Sequence, residues 1–161
     1  MGGGQAHADG DGIAQVLRAA GLTITAPRRA VYRLLFGRER PVGAGEVFDL
    51  LRADGSRLGI TSVYRVLHSF AGAGLVHVFA GEEQRYRICD PVPHAHLVCE
   101  ECGRVIERPA DTVRQWLSAA RHDADFVANV ERSDVYGLCG RCRPGSHVGP
   151  TPSASTVGDT P

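Results

Sequence analysis

The sequence predicts an α+β protein in which an N-terminal winged-helix domain is followed by a small α/β dimerisation domain. Two observations lead to this prediction. Apolar residues recur at helical spacing up to Gly72 and alternate as in strands after Gly74, and a proline-rich segment, Asp90-Pro91-Val92-Pro93, then interrupts the chain. The expected organisation is a flexible tail at 1–12, domains at 13–89 and 94–143 joined by a hinge at 90–93, and a disordered tail at 144–161.

Four helices are expected in the first domain. Their apolar residues recur at spacings of three and four, and Gly21, Gly55 and Gly59 mark breaks between them. We expect the helices at Ile13–Ala20, from near Pro27, at about Ala44–Ala53 and from Thr61 onwards. Pro27 suits a first helical turn, and the Thr61 side chain can cap the fourth helix.

The fourth helix has one apolar face and one polar face. Its apolar stripe consists of Val63, Val66, Leu67 and Phe70. Arg and Tyr side chains on the other face can bind phosphates or base edges of nucleic acid. The candidate DNA-binding residues are Thr61, Ser62, Tyr64 and Arg65 in this helix and Arg28 at the start of the second. The alternative is an ordinary solvated polar face.

A β-hairpin is expected after the helices. Leu75–Phe79 and Gln84–Cys89 have the pattern of two strands, and Gly81-Glu82-Glu83 forms the turn between them. Helices followed by a hairpin form the layout of a winged-helix domain.

The segment after the hinge predicts a small α+β unit. We expect strands at His96–Cys99, Arg104–Glu107, Phe126–Glu131 and Asp134–Leu138, with a helix from Ala110 to about Arg121. A unit of roughly 50 residues is too small to be stabilised comfortably by its core alone. It therefore needs a structural metal or a dimer partner.

Two Cys-x-x-Cys motifs lie in this second unit. Each motif can place two thiolates on one tetrahedral ion, so Cys99, Cys102, Cys139 and Cys142 form a candidate structural zinc site. The alternatives are two disulfides or a redox pair. A redox motif, however, needs a single Cys-x-x-Cys at the start of a helix, whereas both of these follow strands.

Further candidate ligands cluster around the proline-rich hinge. His94 and His96 point to the same face of a strand, and Cys89 and His77 lie on the two strands of the hairpin. One sulfur and three nitrogens form a ligand set that favours Zn²⁺ over Fe²⁺ or Mn²⁺. The alternative is a buried apolar thiol surrounded by ordinary surface histidines.

The charge is unevenly distributed, although the formal net charge is zero. Residues 13–80 contain nine Arg against four acidic residues, and residues 81–143 contain nine Arg against eleven. Such an asymmetry is typical of a protein in which one domain binds nucleic acid. No apolar run approaches the roughly 20 residues of a membrane span, and the N-terminus lacks the pattern of a signal peptide. We expect a cytoplasmic protein that does not contact a membrane.

Several motifs together resemble the ferric-uptake-regulator family. They occur in order between residues 13 and 143 and are Gly21-Leu22-Thr23-Ile24-Thr25-Ala26-Pro27-Arg28, Thr61-Ser62-Val63-Tyr64-Arg65-Val66-Leu67, Gly74-Leu75-Val76, Tyr86-Arg87-Ile88-Cys89 and His94-Ala95-His96-Leu97-Val98-Cys99-Glu100-Glu101-Cys102-Gly103. The resemblance implies a homodimer that binds a palindromic double-stranded DNA operator, usually as a repressor, when a regulatory metal closes the hinge.

The hinge ligands look most like those of the zinc-uptake-regulator branch. The resemblance implies two Zn²⁺ per protomer, one structural and one regulatory, with His77 standing where relatives have an Asp ligand. Iron and peroxide sensors of the family have an acidic ligand where Arg87 stands. A further metal site of the family, at the positions of Pro93, Ala95, Arg114 and Glu131, is expected to be absent, because the first three of these residues do not bind metals.

The expected function is zinc-responsive repression of metal-homeostasis genes. One alternative is a paralogue that senses Fe, Ni, Mn or peroxide, and another is a zinc-stabilised interaction module that does not bind DNA. An enzyme with a small-molecule substrate is not expected, because His96 is followed by Leu97-Val98 and the His-x-Glu signature of zinc deaminases is missing.

Overall fold

The computed structural model describes residues 10–89, 92, 94–111, 113–114 and 133–144. The strand expected at Phe126–Glu131 lies outside these residues, as do the tail from 145 onwards and most of the helix expected from Ala110. Ala110 itself is helical and buried. Within the described part of the chain, no helix is long and apolar enough to span a membrane.

Four helices build the first domain, as the sequence predicts. They are α1 (Gly10–Ala19), α2 (Ala26–Leu35), α3 (Ala44–Ala53) and α4 (Ile60–Gly72). Each contributes its apolar stripe to one core, in which the largest fully buried apolar side chains are Phe70, Ile13, Leu17, Leu35, Leu67, Val31, Val47 and Val63. Burial of this stripe fixes α4 so that its polar face is exposed.

Two helix starts differ from the prediction. Helix α1 begins at Gly10, so residues 10–12 belong to the domain, and the Arg29 guanidinium donates a hydrogen bond to the Gly10 carbonyl at 3.2 Å. Thr61 does not cap α4, because the helix begins one residue earlier. Gly59 takes the cap position, and its carbonyl accepts hydrogen bonds from the amides of Ser62 and Val63.

The wing is a three-stranded antiparallel sheet with the order β1-β3-β2. Strands β2 (Val76–Phe79) and β3 (Arg85–Ile88) form the expected hairpin, and β1 (Val42–Gly43) pairs with the outer edge of β3. The sequence does not reveal β1, because two residues are too few to show alternation. The exposed Glu83 carboxylate of the wing turn packs against Gly43, at 2.5 Å from where a Cβ atom would lie, so a larger residue here would displace this flexible side chain.

The second domain contains a sheet with the order β5-β4-β6. Strand β4 (His94–Cys99) pairs antiparallel with β5 (Val105–Pro109) and parallel with β6 (Asp134–Gly137). In this register His96 lies opposite Glu107 on one side and opposite Asp134 on the other. The central strand therefore places one histidine between two carboxylates.

The two domains meet where the wing contacts β4. The rings of His77 and Phe79 pack against the ring of His96, with centroid distances of 4.2 Å and 5.1 Å. His96 is only 1% exposed, and it is the buried polar side chain of this junction. The ligand candidates of the hinge are thus held between the domains.

Candidate metal centres and DNA-binding surface

The four cysteines of the Cys-x-x-Cys motifs converge in the second domain. Their Sγ atoms all lie within 4.8 Å of one another, and those of Cys102 and Cys139 are 3.8 Å apart. Four sulfurs at about 2.3 Å from a tetrahedral Zn²⁺ would be separated by roughly 3.8 Å. The cluster therefore has the size and chemistry of a closed structural zinc site.

Hydrogen bonds prepare this cluster for cation binding. Backbone amides at Cys102 and Cys139 lower the pKa of Cys99 to about 6, and the Cys139 amide donates to Cys99 Sγ at 3.3 Å. The side-chain hydrogen bond with Cys139 raises the pKa of Cys142 to about 12. Without a cation the four thiols thus share protons, and a bound metal would replace these protons.

A second group of ligand atoms lies at the junction of the domains. The side chains of Cys89, His94, His96 and Glu107 approach one another within 4.8 Å. The distance from His96 Nε2 is 3.3 Å to Cys89 Sγ and 2.9 Å to His94 Nε2. Three of the predicted regulatory ligands are therefore together, and Glu107 joins them.

The acceptors behind the two rings define their tautomers. His94 Nδ1 lies 2.6 Å from the Val92 carbonyl, and His96 Nδ1 lies 3.0 Å from an Asp134 carboxylate oxygen. Because both partners are acceptors, both Nδ1 atoms carry the hydrogen. In neutral rings the two Nε2 atoms would then both be acceptors, so that a metal ion or a proton shared between them would stabilise their close approach.

Burial favours the neutral forms of Cys89 and His96 in the metal-free site. It raises the pKa of the Cys89 thiol to about 11, against the opposing effect of the nearby Arg87 guanidinium. Burial, reinforced by His77, lowers the pKa of His96 to about 4, although Asp134 acts in the opposite direction. A bound cation would stabilise the Cys89 thiolate that burial disfavours, and it would coordinate the neutral His96 imidazole that burial favours.

His77 does not join the other three predicted ligands. Its Nε2 lies 3.0 Å and 3.2 Å from the two Asp134 carboxylate oxygens, so His77 groups with His96 and Asp134. Its contribution to the ligand cluster comes from the main chain, because a backbone hydrogen bond from His77 favours the Cys89 thiolate. In strand β2 the His77 ring and the His77 backbone amide therefore have different partners, since the ring contacts Asp134 and the amide contacts Cys89.

Two carboxylates at this junction were not among the predicted site residues. Glu107 could have been found, because a short turn from Cys99 to Val105 fixes which residue of β5 faces His96. Asp134 left no such signal, since it lies 38 positions from His96 and reaches it only through the parallel pairing of β4 with β6.

The further family site lacks ligands at the positions that the structure describes. Ala95 is buried in β4, and Arg114 forms an ion pair with Asp111 at 3.4 Å. Pro93 and Glu131 lie outside the described residues.

The candidate DNA-binding residues lie on the first domain. Thr61, Tyr64 and Arg65 are exposed on α4, whereas Ser62 is half-buried. A groove of about 700 Å³ separates the Tyr64 and Arg65 side of this helix from the wing turn. Arg28 lies on α2, and its guanidinium donates to the Thr23 carbonyl at 2.7 Å.

A winged-helix domain joined to a small sheet domain, with one thiol cluster and one mixed cluster at the junction, defines a class of two-domain metalloregulators. The comparisons with known proteins agree. The sequence model of the ferric uptake regulator family matches residues 19–132. The chain therefore belongs to this family of metal-responsive transcriptional regulators.

Two relatives that are named for different metals match the sequence of this chain with almost the same identity. The chain is 37% identical over 132 residues to the zinc uptake regulation protein of Mycobacterium tuberculosis, covering 79% of the chain and 99% of the relative. It is 36% identical over 132 residues to the ferric uptake regulation protein of Legionella pneumophila, covering 80% and 97%. These relatives establish the family of the chain, but their sequence identities do not distinguish a zinc sensor from an iron sensor.

Solved structures of the family share the fold. The ferric uptake regulator of Vibrio cholerae matches with a TM-score of 0.57 and 33% identity, covering 79% of this chain and 99% of that one. A zinc uptake regulator complexed with zinc and DNA matches with a TM-score of 0.61 and 25% identity, covering 81% and 89%.

Proposed function

We propose that this protein is a zinc-responsive repressor of metal-homeostasis genes that binds a palindromic operator as a homodimer. The observation that carries the proposal is the close approach of three ligand atoms, since His94 Nε2 lies 2.9 Å and Cys89 Sγ 3.3 Å from His96 Nε2. A divalent cation would be bound by all three atoms at once.

The donor set favours zinc. One thiolate and two imidazoles are soft or borderline ligands, which bind Zn²⁺ in preference to Mn²⁺ or Fe²⁺. Together with the four-cysteine cluster this gives two Zn²⁺ per protomer, one structural and one regulatory. The fourth group at the regulatory site is Glu107, which takes the place predicted for His77 and whose carboxylate is paired with Arg87.

The position of the regulatory ligands supports a role in controlling DNA binding. Cys89 follows the wing strand β3, and His94 and His96 belong to β4 of the second domain. A shared metal would link the two domains and favour one orientation between them, which would set the spacing of the two α4 helices in a dimer. Thr61, Tyr64 and Arg65 would then contact the operator.

A second candidate function is the sensing of iron, manganese or peroxide. Glu107 favours it, because a carboxylate beside the imidazoles is a ligand that Mn²⁺ and Fe²⁺ prefer. The similarity to the ferric uptake regulation protein of L. pneumophila is consistent with this alternative.

The test is binding of the purified protein to operator-like palindromic DNA across buffered concentrations of free Zn²⁺, Fe²⁺ and Mn²⁺. Wild type is compared with Cys89→Ser, and the zinc that survives mild chelation is counted to show that the structural site is intact in both. We expect wild type to bind DNA only as zinc rises, and Cys89→Ser not to respond.

Equal binding by both proteins without added metal would refute regulation through the hinge. A response to iron or manganese at concentrations where zinc has no effect would favour the second candidate. Absence of any salt-dependent binding, even to random DNA, would identify an interaction module that does not bind DNA.

A further inference from the structure

We propose that Arg87 determines the metal specificity of the hinge site by engaging the carboxylate of Glu107 in an ion pair. The inference rests on the proposed function, since it concerns the same regulatory site. Arg87 itself is not a metal ligand. It acts on the site through the carboxylate that it holds.

The Arg87 side chain is fixed at both ends of its guanidinium. Nε donates to the carbonyl of Arg38 at 3.2 Å, and Nη1 pairs with Glu107 Oε1 and lies 3.5 Å from Cys89 Sγ. Arg87 comes from β3 in the wing, whereas Glu107 comes from β5 in the second domain. The guanidinium thus lies against two of the four groups that surround the candidate ion.

The ion pair is shielded from water. The exposed fractions of the Arg87 and Glu107 side chains are 15% and 28%, so solvent screens their attraction far less than in a surface pair. Glu107 Oε1 is also 3.9 Å from His94 Nε2. The same oxygen therefore faces both the guanidinium and the metal ligands, and Arg87 competes with a metal for it.

This competition affects metals unequally. Glu107 is the one oxygen donor among Cys89, His94, His96 and Glu107. Mn²⁺ and Fe²⁺ depend strongly on carboxylate ligands, whereas Zn²⁺ gains most from the thiolate and the imidazoles. The positive charge of Arg87 repels every cation alike, but its hold on Glu107 selectively weakens the site for the harder ions.

The experiment compares Arg87→Gln with Arg85→Gln. Arg85 lies on the same strand and forms an ion pair of 3.0 Å with Glu46 within the first domain, so it is a matched control that leaves the hinge unchanged. Zn²⁺ and Mn²⁺ dissociation constants are measured at the hinge of protein that retains its structural zinc. The absorption spectrum of bound Co²⁺ reports the number of ligands.

We expect Arg87→Gln to lower the ratio of the Mn²⁺ to the Zn²⁺ dissociation constant about tenfold, as is usual for residues that orient metal ligands. The weaker Co²⁺ spectrum of a site with more ligands should accompany this change. Arg85→Gln should retain the wild-type ratio and spectrum. An unchanged ratio in folded Arg87→Gln would overturn the proposal, because Arg87 would then merely join the domains.

Glu107→Gln tests the proposal from the other side, including the case in which Arg87→Gln does not fold. We expect Glu107→Gln to retain zinc affinity, since the ion pair already withholds the carboxylate. A loss of about a hundredfold would overturn the proposal, because Glu107 would then be a full ligand despite Arg87. If wild type binds no metal at the hinge at all, the proposed function fails first, and this result is distinguishable from an unchanged ratio.

Discussion

The Asp134 carboxylate lies 3.0 Å from His96 Nδ1 and so directs His96 Nε2 towards Cys89 and His94. The same carboxylate accepts a hydrogen bond from His77, which belongs to the wing. A carboxylate behind a metal-binding histidine fixes the tautomer and makes the ring a better ligand. Asp134 thus connects the wing, the ligand cluster and β6.

We expect Asp134→Ala to weaken zinc binding at the hinge about 10- to 100-fold, because His96 loses the group that orients it. Competition with a zinc-binding dye measures this affinity. Asp111→Ala is the control, since Asp111 is exposed and its ion pair is with Arg114, away from the cluster. Equal zinc affinity in Asp134→Ala and wild type would show that Asp134 has no such role.

The stability of protein without hinge metal should depend on His96 at acidic pH. Its folded-state pKa is about 4, below the usual 6.5, so the unfolded chain binds the proton first. The contribution is complete above pH 6.5 and is lost as pH falls towards 4, by up to roughly 3 kcal/mol.

Urea unfolding of wild type and His96→Gln across this pH range checks the expectation. The difference between the two proteins isolates His96 from other acid-sensitive groups, including the structural zinc site. A difference in unfolding free energy that is constant with pH would contradict the lowered pKa.

Zinc affinity of the hinge should rise with pH because of Cys89. Its pKa is about 11, so the thiol must lose a proton when zinc binds, whereas His96 is already neutral. We expect an increase of about tenfold per pH unit from about pH 7 to about pH 9. Calorimetry in buffers of different ionisation enthalpy should count one released proton, and Cys89→Ser should release none from this position.

Removal of the structural zinc should unfold the second domain. A unit of this size is not stabilised comfortably by its core alone, and a four-thiolate zinc site contributes on the order of 10 kcal/mol to folding. Cys102→Ser should therefore lose the structural zinc and the cooperative unfolding of the sheet that contains β4. Retention of a native circular dichroism spectrum after zinc loss would show that the sheet is stable without it.

Arg65→Ala should weaken DNA binding at all sequences if Arg65 contacts a phosphate, and should reduce the salt slope by about one. A loss confined to particular base pairs would instead indicate contact with a base edge. Arg33→Ala is a suitable control, because Arg33 is also exposed but lies on α2. Equal operator affinity in both variants would remove Arg65 from the predicted DNA-binding residues.

Much of the fold could be predicted because its signals are local. The stripe of Val63, Val66, Leu67 and Phe70 predicts α4, and all four side chains are buried. The alternation after Gly74 predicts the wing hairpin in the same way. The spacing within each Cys-x-x-Cys motif brings two thiols together. The two pairs of thiols are brought to one place by the pairing of β4 with β6 in the sheet.

The hinge site shows where local signals end. The sequence by itself determined that Cys89, His94 and His96 lie close to the junction, because short segments connect them. Glu107 reaches His96 through the register of the adjacent β4–β5 hairpin, whereas the tertiary structure alone brought Asp134 to His96, through the parallel pairing of β4 with β6. The tertiary structure also turned the His77 ring towards Asp134. The physical reason is that hydrogen-bonded pairing between strands, and not distance along the chain, sets the position of each carboxylate.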